Sequence, residues 1–168
     1  MNRRKKMTAA FAAVLACACL TGCGMFGQGN STAEGRIGDP IETDFFEFTV
    51  NSGYLCDEFE GRAASEGTEL LVVDVTVKNT FNATIPMSDW DFQAQWGEDD
   101  DDEAYAFPIT SDPETGDEIP AVSEEQLPYE YELGIDERRE GLLVYEVPAG
   151  YEDFSISTQD TYSDGTTG

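Results

Sequence analysis

The chain predicts an all-β domain, an antiparallel β-sandwich of about seven strands. Three observations carry that expectation. Apolar residues recur at every second position in several short runs, those runs are separated by Gly, Pro, Asn and Asp, and no segment shows the 3.6-residue period of an amphipathic helix. The strongest run is Glu69–Asn79, where Leu71, Val73, Val75 and Val77 share one parity. Leu70, Val72, Asp74, Thr76 and Lys78 occupy the other and become progressively more polar. That pattern predicts a strand with one buried face, around which the rest of the sheet assembles.

Taken in order, the chain opens with Arg3, Arg4, Lys5 and Lys6, followed by an apolar run from Met7 to Leu20. The run is too short to span a bilayer comfortably, and its basic flank is that of a signal peptide. It ends in Leu20-Thr21-Gly22-Cys23, which resembles the lipobox of bacterial lipoproteins. The resemblance implies cleavage before Cys23, leaving residues 1–22 as leader, and a diacylglyceryl group on the Cys23 sulfur. Two acyl chains are enough for stable attachment. The expected address is therefore the outer face of the cell membrane, with membrane lipid as the partner of Cys23.

Residues 23–38 are rich in Gly, Ser, Thr and Gln and read as a flexible tether with a reach of roughly 20 Å. The sandwich is expected over 39–158. Phe46, Phe48 and Val50 alternate with Glu47 and Thr49, and Asn51-Ser52-Gly53 marks a bulge or bend. Gly61 to Gly67 reads as a loop, and Asn79 to Ala83 as a turn. Trp90, Phe92, Ala94 and Trp96 alternate with Asp89, Asp91, Gln93 and Gln95. Glu98 to Glu103 is an acidic turn, and Pro108 places the short Tyr105–Ile109 strand at an edge. Thr110–Glu125 is a polar, Pro-punctuated excursion. Leu127, Tyr129, Tyr131, Leu133 and Ile135 form the next alternating run, Asp136–Glu140 a charged turn, and Leu143, Tyr145 and Val147 another buried parity. On that strand Glu146 faces outward and is expected to be dispensable. Phe154–Ile156 is a last strand, and 159–168 a polar, disordered tail.

Two of these segments resemble a known family. Glu69-Leu-Leu-Val-Val-Asp-Val-Thr-Val-Lys-Asn-Thr80 is similar to the "gk-f-v-vvdvtv-N-t" strand of telokin-like, DUF4352-type extracellular lipoprotein domains. Glu132-Leu-Gly-Ile-Asp-Glu-Arg-Arg-Glu-Gly-Leu-Leu-Val-Tyr-Glu-Val-Pro148 is similar to the family's "l-pGe-v-G-lvFevP" ending. The resemblance covers about residues 40–158 and implies an immunoglobulin-like sandwich without enzymatic activity. The chain departs from the pattern at Ile135-Asp136-Glu137, where the family has Pro-Gly-Glu, and in the weight of charge at Asp99–Asp102.

Composition limits the chemistry. The whole chain carries nine basic and 35 acidic side chains; four of the basic ones lie in the leader, leaving five against 35 and a net charge of −30. That charge excludes nucleic acid and disfavours anionic lipid. There is no histidine, the commonest general base and zinc ligand. Of the four cysteines, Cys17 and Cys19 leave with the leader and Cys23 takes lipid, so Cys56 remains without a disulfide partner. Cys56 shares parity with Phe48 and Val50 if that strand is unbroken, and so reads as a buried structural thiol. No phosphate loop, nucleophile elbow or paired-cysteine metal motif appears, and no cofactor is implied. Asp99, Asp100, Asp101 and Asp102 are the candidate ligands for a divalent cation. Consecutive aspartates point apart, however, and the run reads first as a solvated turn. Asp89 and Asp91 read as the solvent face of a strand. Trp90, Phe92 and Trp96 read as core, with Trp96, at the strand end, the candidate for an exposed ligand-stacking ring. The expected function is a non-catalytic binding or accessory domain with a cell-surface protein as partner. The alternative is an acidic domain that binds divalent cations or cationic peptides.

Overall fold

The structure is a computed structural model and describes residues 35–88, 91–97, 104–110, 115 and 117–158. These residues form eleven strands and, among them, no α-helix: β1 Pro40–Glu42, β2 Phe46–Cys56, β3 Glu58–Phe59, β4 Arg62–Ala63, β5 Thr68–Asn79, β6 Ile85–Ser88, β7 Phe92–Trp96, β8 Tyr105–Ala106, β9 Glu130–Leu133, β10 Arg138–Pro148 and β11 Phe154–Thr158. One layer is the antiparallel sheet β1-β2-β5-β10. The other is built from β11-β7-β8 and the pair β6-β9. Side chains from both layers meet in one core, in which Phe46, Phe48, Leu71, Val73, Val75, Val77, Leu143, Tyr145 and Val147 face Ile85, Met87, Phe92, Ala94, Leu127, Tyr131 and Leu133. The fold is an antiparallel β-sandwich.

β5 is the central strand. It pairs with β10 from Lys78↔Arg138 to Thr68↔Pro148, and with β2 from Asn79↔Phe46 to Leu70↔Cys56. Its inner parity is buried as expected, but Leu70 and Val72 on the outer parity are also only 0 % and 1 % exposed. The expectation of one buried face therefore holds only for the Asp74–Lys78 half. At the other half the outer row Tyr54–Val72–Val144 runs across three strands, with Val144 buried too. Each fully buried Val or Leu contributes on the order of 1.5–3 kcal/mol.

The Asn51 bulge is present. The β2–β5 register slips between Val50 and Ser52, and the Asn51 amide donates to Asp74 Oδ1 and Thr76 Oγ1 at 3.1 and 2.9 Å. One extra residue transfers every later side chain to the other face. Leu55, paired with Leu71, thus packs on the core, while Cys56 pairs with Leu70 on the outer face. The expected parity of Cys56 with Phe48 and Val50 is corrected by that single insertion. Two turns also differ from expectation. Glu60 and Gly61, both at positive φ (48° and 86°), make a two-residue hairpin between β3 and β4, so 61–67 is not wholly loop. The charged turn ends at Glu137, because Arg138–Glu140 already pair with Thr76–Lys78. Within it Asp136 has φ 57°, the left-handed conformation that the glycine of Pro-Gly-Glu adopts freely and aspartate tolerates. The turn is otherwise closed by Gly134 N donating to Glu137 Oε2 at 2.7 Å.

The excursion before β9 does structural service. Ile109 N donates to Val144 O (2.7 Å), Leu127 N to Leu142 O (3.0 Å), and Leu142 N to Glu125 O (2.8 Å), so its two ends satisfy the outer edge of β10. Gly141 permits that approach. A Cβ there would lie 3.0 Å from Glu125 O and 2.7 Å from the Leu127 side chain. At the edge of the second layer β8 lies outermost, with Pro108 just beyond it, as the proline requires.

Asn79 closes the sandwich at one end. It is fully buried; its amide donates to Ala83 O (2.8 Å) and Leu133 O (2.9 Å), and its Oδ1 accepts from Phe81 N (2.7 Å). It therefore ties the end of β5 in one layer to the end of β9 in the other. Tyr145, also fully buried, has a hydroxyl with no protein hydrogen-bond partner. Denaturant melts should rank three proteins accordingly. Asn79→Ala strands two carbonyls and an amide and should lose about 3 kcal/mol. Tyr145→Phe removes an unpaired buried hydroxyl and should gain about 1 kcal/mol. A destabilised Tyr145→Phe would show that the hydroxyl has a partner.

Candidate functional site

The second layer carries a surface concavity between β6 and β9. On β6 and β9, Pro86 lies opposite Glu132 and Ser88 opposite Glu130, both pairs on the outward face. Met87 and Tyr131, opposite each other on the inward face, form its floor. Together with Asp91 these residues line an open groove of about 510 Å³. Three of the seven lining residues are carboxylates and none is basic. Tyr131 is held from the inner side by Arg139, whose guanidinium carbon lies 4.8 Å from the ring centroid. The groove is thus a negatively charged recess, suited to a cationic group rather than an anion.

Asp91 corrects an expectation. Alternation placed it on the solvent face, yet it is 2 % exposed and its Oδ2 accepts from Ser88 N at 2.6 Å. The residue stands just before β7, where strand parity does not apply, and its carboxylate closes the step from β6 to β7. Asp89 and Trp90 lie outside the described residues. So do Cys23, Asp99, Asp100, Asp101, Asp102 and the tail 159–168. Trp96 is half-buried at the end of β7, packed edge-on to Phe154 and tilted against Tyr151, each at 6.4 Å between centroids. It leans on the core rather than standing free as a stacking platform.

Two titratable groups are shifted by their surroundings. Cys56 is half-buried, and its thiol donates to Leu70 O at a long 3.8 Å. Desolvation pushes its pKa up, which holds the sulfur as the unreactive thiol. Glu146, expected to be dispensable, is instead a fastening. Its Oε1 accepts from Ser65 N and Thr68 Oγ1, both at 2.7 Å, and so holds the 65–68 turn against β10. Those hydrogen bonds, first from Ser65 and then from Thr68, hold its carboxyl below the ordinary value of 4.5, helped by nearby Arg62. Local parity gave no sign of this role, because the donors come from a turn 78 to 81 residues away. Among the described residues no three His, Cys, Asp or Glu side chains approach closely enough to hold a metal ion.

These features define a compact antiparallel sandwich with an acidic surface groove, a protonated lone thiol and polar groups that fasten loops. The chain belongs to the family described as "Domain of unknown function (DUF4352)", whose model matches residues 35–167. No curated protein matches it. Among solved structures it is similar to one described as a "putative lipoprotein (ycdA)" from Bacillus subtilis subsp. subtilis str. 168. The TM-score is 0.51 and the identity 20 %, over 74 % of this chain and 34 % of that one. The chain therefore spans about a third of that lipoprotein structure's length. It is also similar to the yjhA protein of Bacillus subtilis (TM-score 0.48, 15 % identity, 71 % of this chain and 76 % of that one). A third is an uncharacterized β-sandwich protein of Clostridium difficile 630 (TM-score 0.42, 15 % identity, 74 % and 85 %). At 20 % identity the likeness to the ycdA structure is one of fold.

The Glu146 fastening makes a pH-dependent demand. A carboxyl whose folded pKa is depressed contributes stability above its unfolded pKa and loses it as pH falls through the folded one. Glu146→Gln should therefore cost about 1 kcal/mol at pH 7, a charge-assisted pair discounted for partial exposure. The difference between the two proteins should close below pH 4.5. A gap that persists at pH 3 would assign the loss to packing rather than to charge.

Proposed function

We propose that this chain is a lipid-anchored protein of the outer membrane face, and that its DUF4352 sandwich is a non-catalytic binding or accessory module. The observation that carries the reading is Leu20-Thr21-Gly22-Cys23, placed at the end of an apolar run, with eleven residues between Cys23 and Gly35, the first described residue. The Bacillus structure described as a "putative lipoprotein" supports it by fold, as does the groove, a surface that offers binding geometry. Membrane fractionation with mass spectrometry of the N-terminal peptide checks it. The expected outcome is a membrane-bound protein with diacylglyceryl Cys23, released by Cys23→Ala. A soluble mature protein with a bare Cys23 would overturn the anchor.

The groove favours a particular class of ligand, cationic side chains of a peptide or surface protein. Glu130 and Glu132 are exposed on one strand, spaced by two, and Asp91 lies in the recess beside them. Titration with a short oligolysine at 0.1 M salt should give saturable binding, and Glu130→Gln with Glu132→Gln should weaken it about tenfold or more. Calcium and sodium at matched ionic strength should shift the melting temperature alike if the acidic run Asp99–Asp102 is a solvated turn. Excess stabilisation by millimolar calcium, erased when those four aspartates become asparagine, would instead establish a cation site there.

A further inference from the structure

The two ends of the sandwich differ in chemistry. At the Asn79 end two loops meet, 80–84 after β5 and 134–137 between β9 and β10, joined through the Asn79 side chain and by Asn79 N donating to Glu137 O at 3.0 Å. Each loop carries a partly exposed apolar side chain: Phe81, packed edge-on to Phe45 at 5.2 Å between centroids, is 39 % and Ile135 58 % exposed. Beside them Lys78 and Arg138 are cross-strand partners, and Arg139 stacks on Tyr131 just inside. Three of the five basic residues outside the leader thus gather at this end. Acidic groups share it: Glu42 and Glu47 lie in the same cross-strand row as Lys78 and Arg138, and Asp44, Asp136 and Glu137 lie in its turns. The opposite end is more one-sided. It carries Glu58, Glu60, Glu66, Glu152 and Asp153 against Arg62.

The chain joins the domain near the Asn79 end. A Cβ on Gly35 would lie 3.0 Å from Ile41, and Ile41 sits in the row Ile41–Phe48–Val77, two residues from the end of β5. Only eleven residues separate Gly35 from Cys23, a span of at most about 40 Å fully extended and about 20 Å on average. On the anchored reading of Cys23, the sandwich is therefore held close to the bilayer at high effective concentration. Under those conditions a contact too weak to recruit a free protein is occupied most of the time.

We propose that the Asn79 end is the membrane-facing end of the domain. Phe81 and Ile135 enter the interfacial region of the bilayer, and Lys78 and Arg138 sit at the level of the lipid phosphates. This orientation turns Glu58, Glu60, Glu66, Glu152 and Asp153 of the opposite end away from like charge on the lipid. The domain is thereby presented with a fixed polarity rather than tumbling on its tether. The inference rests on the anchored reading, and its test supplies the anchor chemically so that the two can fail separately.

The mature chain carrying Cys56→Ala is coupled through Cys23 to a synthetic diacyl lipid and placed in phosphatidylcholine/phosphatidylglycerol nanodiscs containing a gadolinium-headed lipid. The amide signals of 80–83 and 134–136 are expected to lose more than half their intensity, while those of 151–153 keep theirs. Phe81→Ser with Ile135→Ser should abolish that contrast and leave the chemical shifts of the core unchanged. Broadening at 151–153, equal broadening at both ends, or contrast that survives the double variant would each overturn the proposal. Whether cells acylate Cys23 is read separately, from the native N-terminal peptide.

Discussion

Strand β5 has no free side, and most of the architecture follows from that constraint. Both of its hydrogen-bonding edges are taken, by β2 and β10, and its inner face is apolar from Leu71 to Val77. A strand enclosed in this way requires partners of nearly its own length, and β2 and β10 are each eleven residues long against its twelve. It also moves the exposed-edge problem outward. β10 then presents the open ladder, and the excursion satisfies it through Ile109, Glu125 and Leu127. A polar stretch that alternates with nothing in the sequence thereby becomes a functional part of the sheet, and Gly141 is glycine because that stretch passes over it.

The two layers are joined covalently by loops but registered by polar side chains. Asn79 is buried without penalty because both ends of its amide are used, and in a low-dielectric interior such a satisfied group specifies one arrangement of the strands around it. Glu146 does the same at the other end of β10, holding the 65–68 turn with two short bonds. Among the described residues Cys56 is a free thiol, and these fastenings and the core hold a domain under strong self-repulsion. Tyr145 is the exception within that core, a buried hydroxyl at the place where the family ending "lvFevP" has phenylalanine.

Charge gives the molecule its functional character. Carboxylates line the groove and flank the far end, while three of the five described basic residues lie near Asn79 among carboxylates of their own. Such a distribution makes the direction from which a charged partner approaches matter as much as its affinity.

The sequence by itself determined the fold class, the strands and the core. Val73, Val75, Val77, Tyr145 and Val147 are buried on the parity that alternation assigns them, because a half-buried strand repeats every two residues whatever surrounds it. The acidic balance and the family were legible for the same reason: each is written in local composition or a short motif. What only the tertiary structure decided depends on residues far apart in the chain. The bulge at Asn51 was visible, but its consequence for Cys56 required the register with β5. Asp91 and Glu146 look like solvent-facing acids until Ser88 N, Ser65 N and Thr68 are placed against them. The groove exists only because β6 and β9, more than forty residues apart, lie side by side. Periodicity reports which side of a strand is apolar; only the pairing of distant segments decides which polar groups have company.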